Sequence, residues 1–301
     1  MNARSPSAIR MLLTGALFLL PSLAGADTFE RVRGSNTFTL GYVQDFAPFS
    51  SLEGEKPEGY AMALCLKIAD RLKDELDLPG LQVRYQAVTV DNEVSAVSSG
   101  QVDIVCTPTP ETLENRKRVS YSIPIYTAGL SAVVRRDAPE SLLRALNGEE
   151  VHSGPTWRAT VNRGLANQTI AVLEGGVSEG WVRNKMKMLG VLTTLVTVDS
   201  VAAGVKAVAG GKANTFISER MLLQHQVDRS KDVAELMVVP RLFELAPAAM
   251  IVERGDEDFR LLVDTVLSEM YRSGEIEQAY ATYLGGARGT SKLLFKIYGL
   301  P

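Results

Sequence analysis

The sequence predicts an α/β protein of two similar halves, each an open and mostly parallel sheet with helices packed against it. Three observations carry this prediction: a β-α-β-α-β order over residues 38–106, the same order over residues 169–218, and helical spacing of apolar residues in the C-terminal stretch.

In the first half, "FTLGYV" at 38–43 has the composition of a strand, and "QDFAPFSSLEGEKPEG" reads as a long turn-rich loop ending at Gly59. A helix follows, because Leu64, Ile68, Leu72 and Leu76 recur at every fourth position while Asp70, Arg71, Lys73, Asp74 and Glu75 take the other face. Pro79-Gly80 ends it. "LQVRYQAV" alternates as a strand, Asp91 is placed to cap the short helix "NEVSAVSS", Gly100 ends that helix, and "VDIVC" reads as a buried strand. Sheets of this kind meet their ligands beyond the carboxyl ends of the strands. "TPTPETLENRKRVSYSIP", Thr107 to Pro124, lies there, offering hydroxyls and guanidinium groups to an anion.

The second half repeats the grammar. "TIAVLEGG" is a strand and a glycine turn, "VSEGWVRNKMKMLG" a helix that Ser178 is placed to cap, and "TTLVTV" a strand. Asp199 or Ser200 then caps "VAAGVKAVAGG", and the strand "ANTFIS" delivers Glu219. "SAVVRRDAP" and "MVVPRLFEL" read as the passages between halves. The final stretch has no sheet of its own and is expected to pack back on the first half.

The chain has 301 residues, and its first 26 read as a leader. Arg4 and Arg10 precede the apolar run "MLLTGALFLLPSLAG", and Ala24-Gly25-Ala26 offers the small-x-small pattern of a signal peptidase site. That run is shorter than the roughly 20 residues a spanning helix needs, and Pro21 interrupts it. Cleavage would leave 30 basic against 35 acidic residues, a net charge of −5 in place of −3, which argues against nucleic acid or an anionic membrane as partner. The mature chain is expected to be soluble. Two cysteines, Cys65 and Cys106, are a disulfide candidate in an exported protein, or else two small buried hydrophobes. The two histidines, His152 and His225, lie far apart, and no metal or cofactor spacing is present, so neither a metal nor a cofactor is expected.

"LGYVQDFAPFS", "EGYAMALCLKIAD", "SSGQVDIVCTPTPETLENRKRVSYSIPIYTAG" and "RGDEDFRLLVDTVLSEMYRSGEIEQAYATYLG", in this order and spacing, resemble the periplasmic solute-binding proteins of polar-amino-acid ABC transporters, bacterial extracellular solute-binding protein family 3. The resemblance implies a two-lobed periplasmic-binding-protein fold of type II, two open α/β sheets joined by two crossover hinges that close on a ligand. It divides the chain into a signal peptide at 1–26, a first lobe at 27–130, a second at 131–240, and a return to the first lobe with C-terminal helices at 241–301. It also implies an inner-membrane ABC permease as partner, a monomer, and a periplasmic location.

Carried over by position, the resemblance implies that Phe46 stacks on the ligand and that Thr109 falls within the hydroxyl pair for its carboxylate, with Pro110 standing as the other member; Thr107, two residues earlier, is a further hydroxyl offered to an anion. Gly176 and Val177 stand at the glycine turn, with Val177 replacing a threonine, and Glu219 stands where a second-lobe acid meets the amino group. The carboxylate arginine falls at Asn115, with Arg116 one residue later; Val43, Ala63 and Ala246 replace frequent acids. A buried zwitterion needs partners for both charges, each missing charged hydrogen bond costing roughly 1.5–3 kcal/mol, so these departures bear on the ligand and not on the fold. The function expected is capture of a small polar solute, an amino acid or related carboxylate, for delivery to the permease. The alternatives are an enzyme resembling cyclohexadienyl dehydratase on the same scaffold, with Glu219 as acid or base, and a non-transport accessory or sensory protein.

Overall fold

Two long antiparallel strands run through both halves and join their sheets into one ladder. The computed structural model describes residues 27–52, 54–149, 164–287 and 289–301. The expected leader at 1–26 and His152 lie outside the described residues.

The first half runs α1 (Thr28–Ser35), β1 (Thr37–Val43), β2 (Asp45–Phe46), β3 (Ser50–Ser51), α2 (Tyr60–Glu75), β4 (Gln82–Val88), α3 (Glu93–Ser98) and β5 (Ile104–Pro110). β1 pairs in parallel with β4 on one side and β5 on the other, Leu40 opposite both Tyr85 and Ile104. Where a plain loop was expected after β1, β2 and β3 form a small hairpin. The apolar repeat of α2 does what its spacing predicts: Leu64, Cys65, Ile68 and Leu72 are fully buried. Each large aliphatic among them is worth about 1.5–3 kcal/mol. Gly59 starts that helix with φ +133°, and a Cβ there would lie 2.4 Å from the Phe49 carbonyl oxygen, so only glycine fits beneath the hairpin.

After β6 (Val119–Tyr121), β7 (Tyr126–Arg135) carries the chain into the second half. There follow α4 (Glu140–Asn147), β8 (Thr169–Leu173), α5 (Val177–Leu189), β9 (Thr194–Val198), α6 (Val201–Ala209), β10 (Thr215–Glu219), α7 (Arg220–Asp228) and β11 (Leu236–Val238). β12 (Glu244–Glu253) returns to the first half, and α8 (Glu257–Ser273), α9 (Glu275–Leu284) and α10 (Thr290–Tyr298) complete the chain. The strand order is β4-β1-β5-β12-β7-β10-β8-β9, so each half keeps its own three-stranded parallel block and the crossing strands lie between.

β7 and β12 pair with each other over Tyr126–Leu130 and Glu244–Ala248. The crossing therefore lies just before "SAVVRRDAP", and on the return it begins at Glu244-Leu245, the last two residues of "MVVPRLFEL". The structure puts 131–135 beside β10 and Leu236–Val238 in β11, both within the second half. The apolar pattern of β7 is continuous through the crossing, which hid its position.

Three caps differ from expectation or decide between alternatives. Asn92, not Asp91, precedes α3, and its side chain accepts the Thr89 N–H. Gly176 precedes α5, leaving Ser178 buried in the first turn. Ser200 caps α6, its Oγ accepting the Ala203 N–H at 3.2 Å. Cys65 on α2 and Cys106 on β5 are disulfide-bonded, their Cα atoms 6.0 Å apart.

The C-terminal helices pack back on the first half. α8 and α9 lie against α2, with Arg71–Glu269 and Lys67–Glu275 ion pairs across the seam. α10 lies over Tyr271 and Tyr280 through Phe295, at ring separations of 5.5 and 5.3 Å, and Tyr298 hydrogen-bonds Thr127 of β7. No described helix is long and apolar enough to cross a membrane.

Candidate functional site

Both parallel blocks point the carboxyl ends of their strands at the same cleft. A cavity of about 260 Å³ lies there, lined from the first half by Gln44, Asp45, Phe46, Thr89 and Asn92 and from the second by Leu173, Asp199 and Ser200. The halves meet at its edge. Gly175, in the turn after β8, has φ +67°, and a Cβ on it would fall 2.7 Å from an Asp91 carboxylate oxygen. The lobes thus touch at this edge, and glycine is what allows the approach.

Of the expected site residues, Phe46 lines this cavity. Its half-buried ring sits on the hairpin and is braced by Phe49 at 6.3 Å; Phe49 meets Tyr126 edge-on at 4.8 Å, and Tyr126 stacks on Tyr280 at 6.2 Å. This chain of rings ties the cavity wall to the first residue of β7 and to α9.

Thr107 and Thr109, successive inward residues of β5, are both buried and hold their hydroxyls 3.4 Å apart. Their partner is a carboxylate of the protein itself. Thr107 Oγ1 donates to Glu93 Oε2 at 3.2 Å, and Thr109 also hydrogen-bonds Glu93. Burial pushes the Glu93 carboxyl up to about 7, against the two hydroxyls that draw it down. Sequence reasoning passed over Glu93. Its signal was spacing: Glu93, Ala96 and Val97 sit at i, i+3 and i+4, which puts an acid on the buried face of α3.

Asn115 and Arg116 stand apart from the cavity. They lie in a single 3-10 turn, where the Asn115 side chain hydrogen-bonds the Tyr121 hydroxyl. Arg116 is exposed, pairs with Glu111, and lies over the Tyr121 ring at 5.8 Å from its centre. It borders a different surface groove, shared with Arg260 and Asp264.

In the second half, Gly176 is the N-cap of α5 and Val177 its exposed first residue; neither lines the cavity. Glu219 ends β10 and caps α7, accepting the N–H groups of Met221 at 2.6 Å and Leu222 at 3.0 Å. Tyr126 donates to its other oxygen at 2.9 Å. Burial raises this carboxyl to about 7 despite the Leu222, Tyr126, Met221 and Gly129 donors. Tyr126 was also passed over, since an aromatic at a strand start carries no distinguishing pattern. Trp181 stacks on Phe243 at 5.5 Å within the second half. Among the described residues no group of three or more His, Cys, Asp or Glu is placed to hold a metal ion.

Two α/β lobes bridged by a crossing strand pair, with a cavity between their strand ends, define a two-lobed solute-binding architecture. The chain belongs to the bacterial extracellular solute-binding proteins, family 3, whose pattern it matches over residues 38–286. It is similar to the L-glutamate/L-aspartate-binding protein of Pseudomonas aeruginosa, with 28% identity over 282 residues, 92% of this chain and 86% of that protein. It is also similar to the arginine-binding extracellular protein ArtP of Bacillus subtilis, at 21% identity over 92% of this chain and 98% of that protein. Among solved structures, an ancestral arginine-binding protein bound to arginine superposes with a TM-score of 0.67 at 22% identity, covering 83% of this chain and 99% of that one. An ancestral amino acid-binding protein described as a precursor of cyclohexadienyl dehydratase gives 0.68 at 20% identity, covering 86% and 99%. At these identities the structural likeness speaks to the fold.

Proposed function

We propose that this chain is the exported, solute-capturing component of an importer, closing two lobes on a small polar solute and presenting it to an inner-membrane ABC permease. One observation carries the reading: the cavity is walled by strand ends of both lobes, so a solute held there contacts both and favours the closed form. The curated relatives named above bind amino acids, which makes amino acids and their close chemical kin the first compounds to try. The leader-like residues 1–26 fit delivery to the periplasm, and a lobe-closing receptor works as a monomer.

An enzyme on the same scaffold would need a carboxyl free to move a proton. Glu219 has the raised pKa for that role, but α7 and Tyr126 hold it as a cap, which favours binding over catalysis. The test is thermal unfolding of the purified protein against a panel of small solutes, with turnover followed in parallel. A dose-dependent rise in Tm without product formation is expected, because a ligand bound only by the folded state stabilises it with concentration. No response to any compound would overturn solute capture, and aromatised product from a prephenate-like acid would establish the enzyme.

A further inference from the structure

The Thr109 hydroxyl, which the sequence resemblance offers to a ligand carboxylate, is already taken. Glu93, 6% exposed, sits on the Thr107 and Thr109 hydroxyls, and the position of the carboxylate arginine holds Asn115, which is engaged with Tyr121. A second carboxylate brought to this hydroxyl pair would find the hydroxyls already engaged by a buried acid, one of its own sign above about pH 7, with no guanidinium to offset it. The cavity is also one-sided in charge. Asp45 lines it from the first lobe and Asp199 from the second, and no lysine or arginine is among the described residues that line it. Phe46 lines the same cavity, and the face of an aromatic ring attracts a cation.

We infer that the cleft takes an organic cation without an α-carboxylate, an amine or guanidinium held between Asp45 and Asp199 against Phe46. This rests on solute capture as the function and names the chemistry of the solute. Glu93 has a separate part: it occupies the anion-binding hydroxyls and so excludes the carboxylate that an amino acid would bring. Bridging carboxylates of opposite lobes, the cation also supplies a reason to close, since each lobe alone offers it only one of the two acids.

The experiment is isothermal titration of the protein, expressed from its full sequence, with pairs of compounds that differ only in the α-carboxylate. The pairs are arginine and agmatine, ornithine and 1,4-diaminobutane, and lysine and 1,5-diaminopentane, with glutamate and glutamine alongside. The amine of at least one pair is expected to bind about tenfold or more tightly than its amino acid. Measured at pH 8, where Glu93 is ionised, Glu93→Gln should narrow that preference by about tenfold, because it removes the charge that excludes the carboxylate. Asp199→Asn, at an exposed position that leaves the core intact, should weaken the amine by a similar factor. Tighter binding of the amino acid in every pair, or binding of glutamate or glutamine with none of the amines, overturns the inference and leaves solute capture standing. Silence from all eight compounds, with a response to some other solute in the thermal panel, overturns the inference alone; silence from the whole panel overturns both.

Discussion

The hydroxyl of Tyr126 donates to Glu219 across 2.9 Å, so the first residue of the crossing strand β7 is fastened to the N-cap of α7 in the second lobe. The same ring stacks on Tyr280 and touches Phe49, which braces the cavity-lining Phe46. Crossing strand, helix cap and cavity wall share one side chain. Tyr126→Phe keeps the rings and removes the donor. It should cost about 0.5–1.5 kcal/mol in urea unfolding. It should also move the Glu219 carboxyl above its value of about 7, because the lost hydroxyl favours the charged form. Carbon-detected NMR titration of Glu219 reads that shift, and an unchanged titration would mean the hydroxyl does not hold the carboxylate in solution.

Gly175 closes against Asp91 only because it has no side chain. Gly175→Ala combines a left-handed backbone, costing about 1 kcal/mol, with a Cβ 2.7 Å from the Asp91 carboxylate. The lobes should rest further apart, seen as a larger radius of gyration in small-angle X-ray scattering, and solute response should weaken. An unaltered scattering curve would place the contact outside the closing motion.

Glu93 makes a pH prediction. Its folded-state carboxyl titrates near 7, whereas an unperturbed glutamate titrates near 4.3, so between these values the folded state holds a proton that the unfolded state has lost. Stability from this group is therefore full below about pH 4.3, declines as pH rises, and levels off above about 7. Relative to Glu93→Gln, the wild type should lose roughly 3.5–4 kcal/mol across that window. Tyr121, the neighbouring titratable group, has its pKa raised by burial and stays neutral throughout. Parallel stability curves for the two proteins from pH 4.5 to 7.5 would refute the assignment.

The Cys65–Cys106 bond joins α2 to β5, closing a loop of sequence separation 41 beneath Thr107. Replacing both cysteines by alanine should cost roughly 2–4 kcal/mol in denaturant unfolding, mostly through a freer unfolded chain. A loss well below that range would mean that the unfolded chain is already constrained.

The repeated β-α-β-α-β order was legible because periodicity and glycine punctuation are local properties, and α2 was read nearly residue by residue from Leu64, Ile68 and Leu72. The crossing was not, since Tyr126–Leu130 continues the apolar pattern of β7 and only its partner Glu244–Ala248 marks it as a bridge. The site divided in the same way. Phe46 follows from its loop at a strand end, but the orientation of Arg116 depends on Glu111 and Tyr121, and the occupation of the Thr107–Thr109 hydroxyls depends on a helix face meeting a strand end. Both are tertiary facts that spacing along one element does not encode.

The matched family pattern ends at residue 286, and α10 lies beyond it, with Tyr298 bonded to Thr127 of the crossing strand and the Leu300 carbonyl held by Arg272. Tyr298 and Leu300 are thus anchored beside the crossing strands and α8, not trailing from a remote surface. A fluorescent protein or purification tag fused after Pro301 would press on that joint and report, or disturb, opening and closing. The same placement offers an attachment point for an optical sensor of whatever solute the cleft admits.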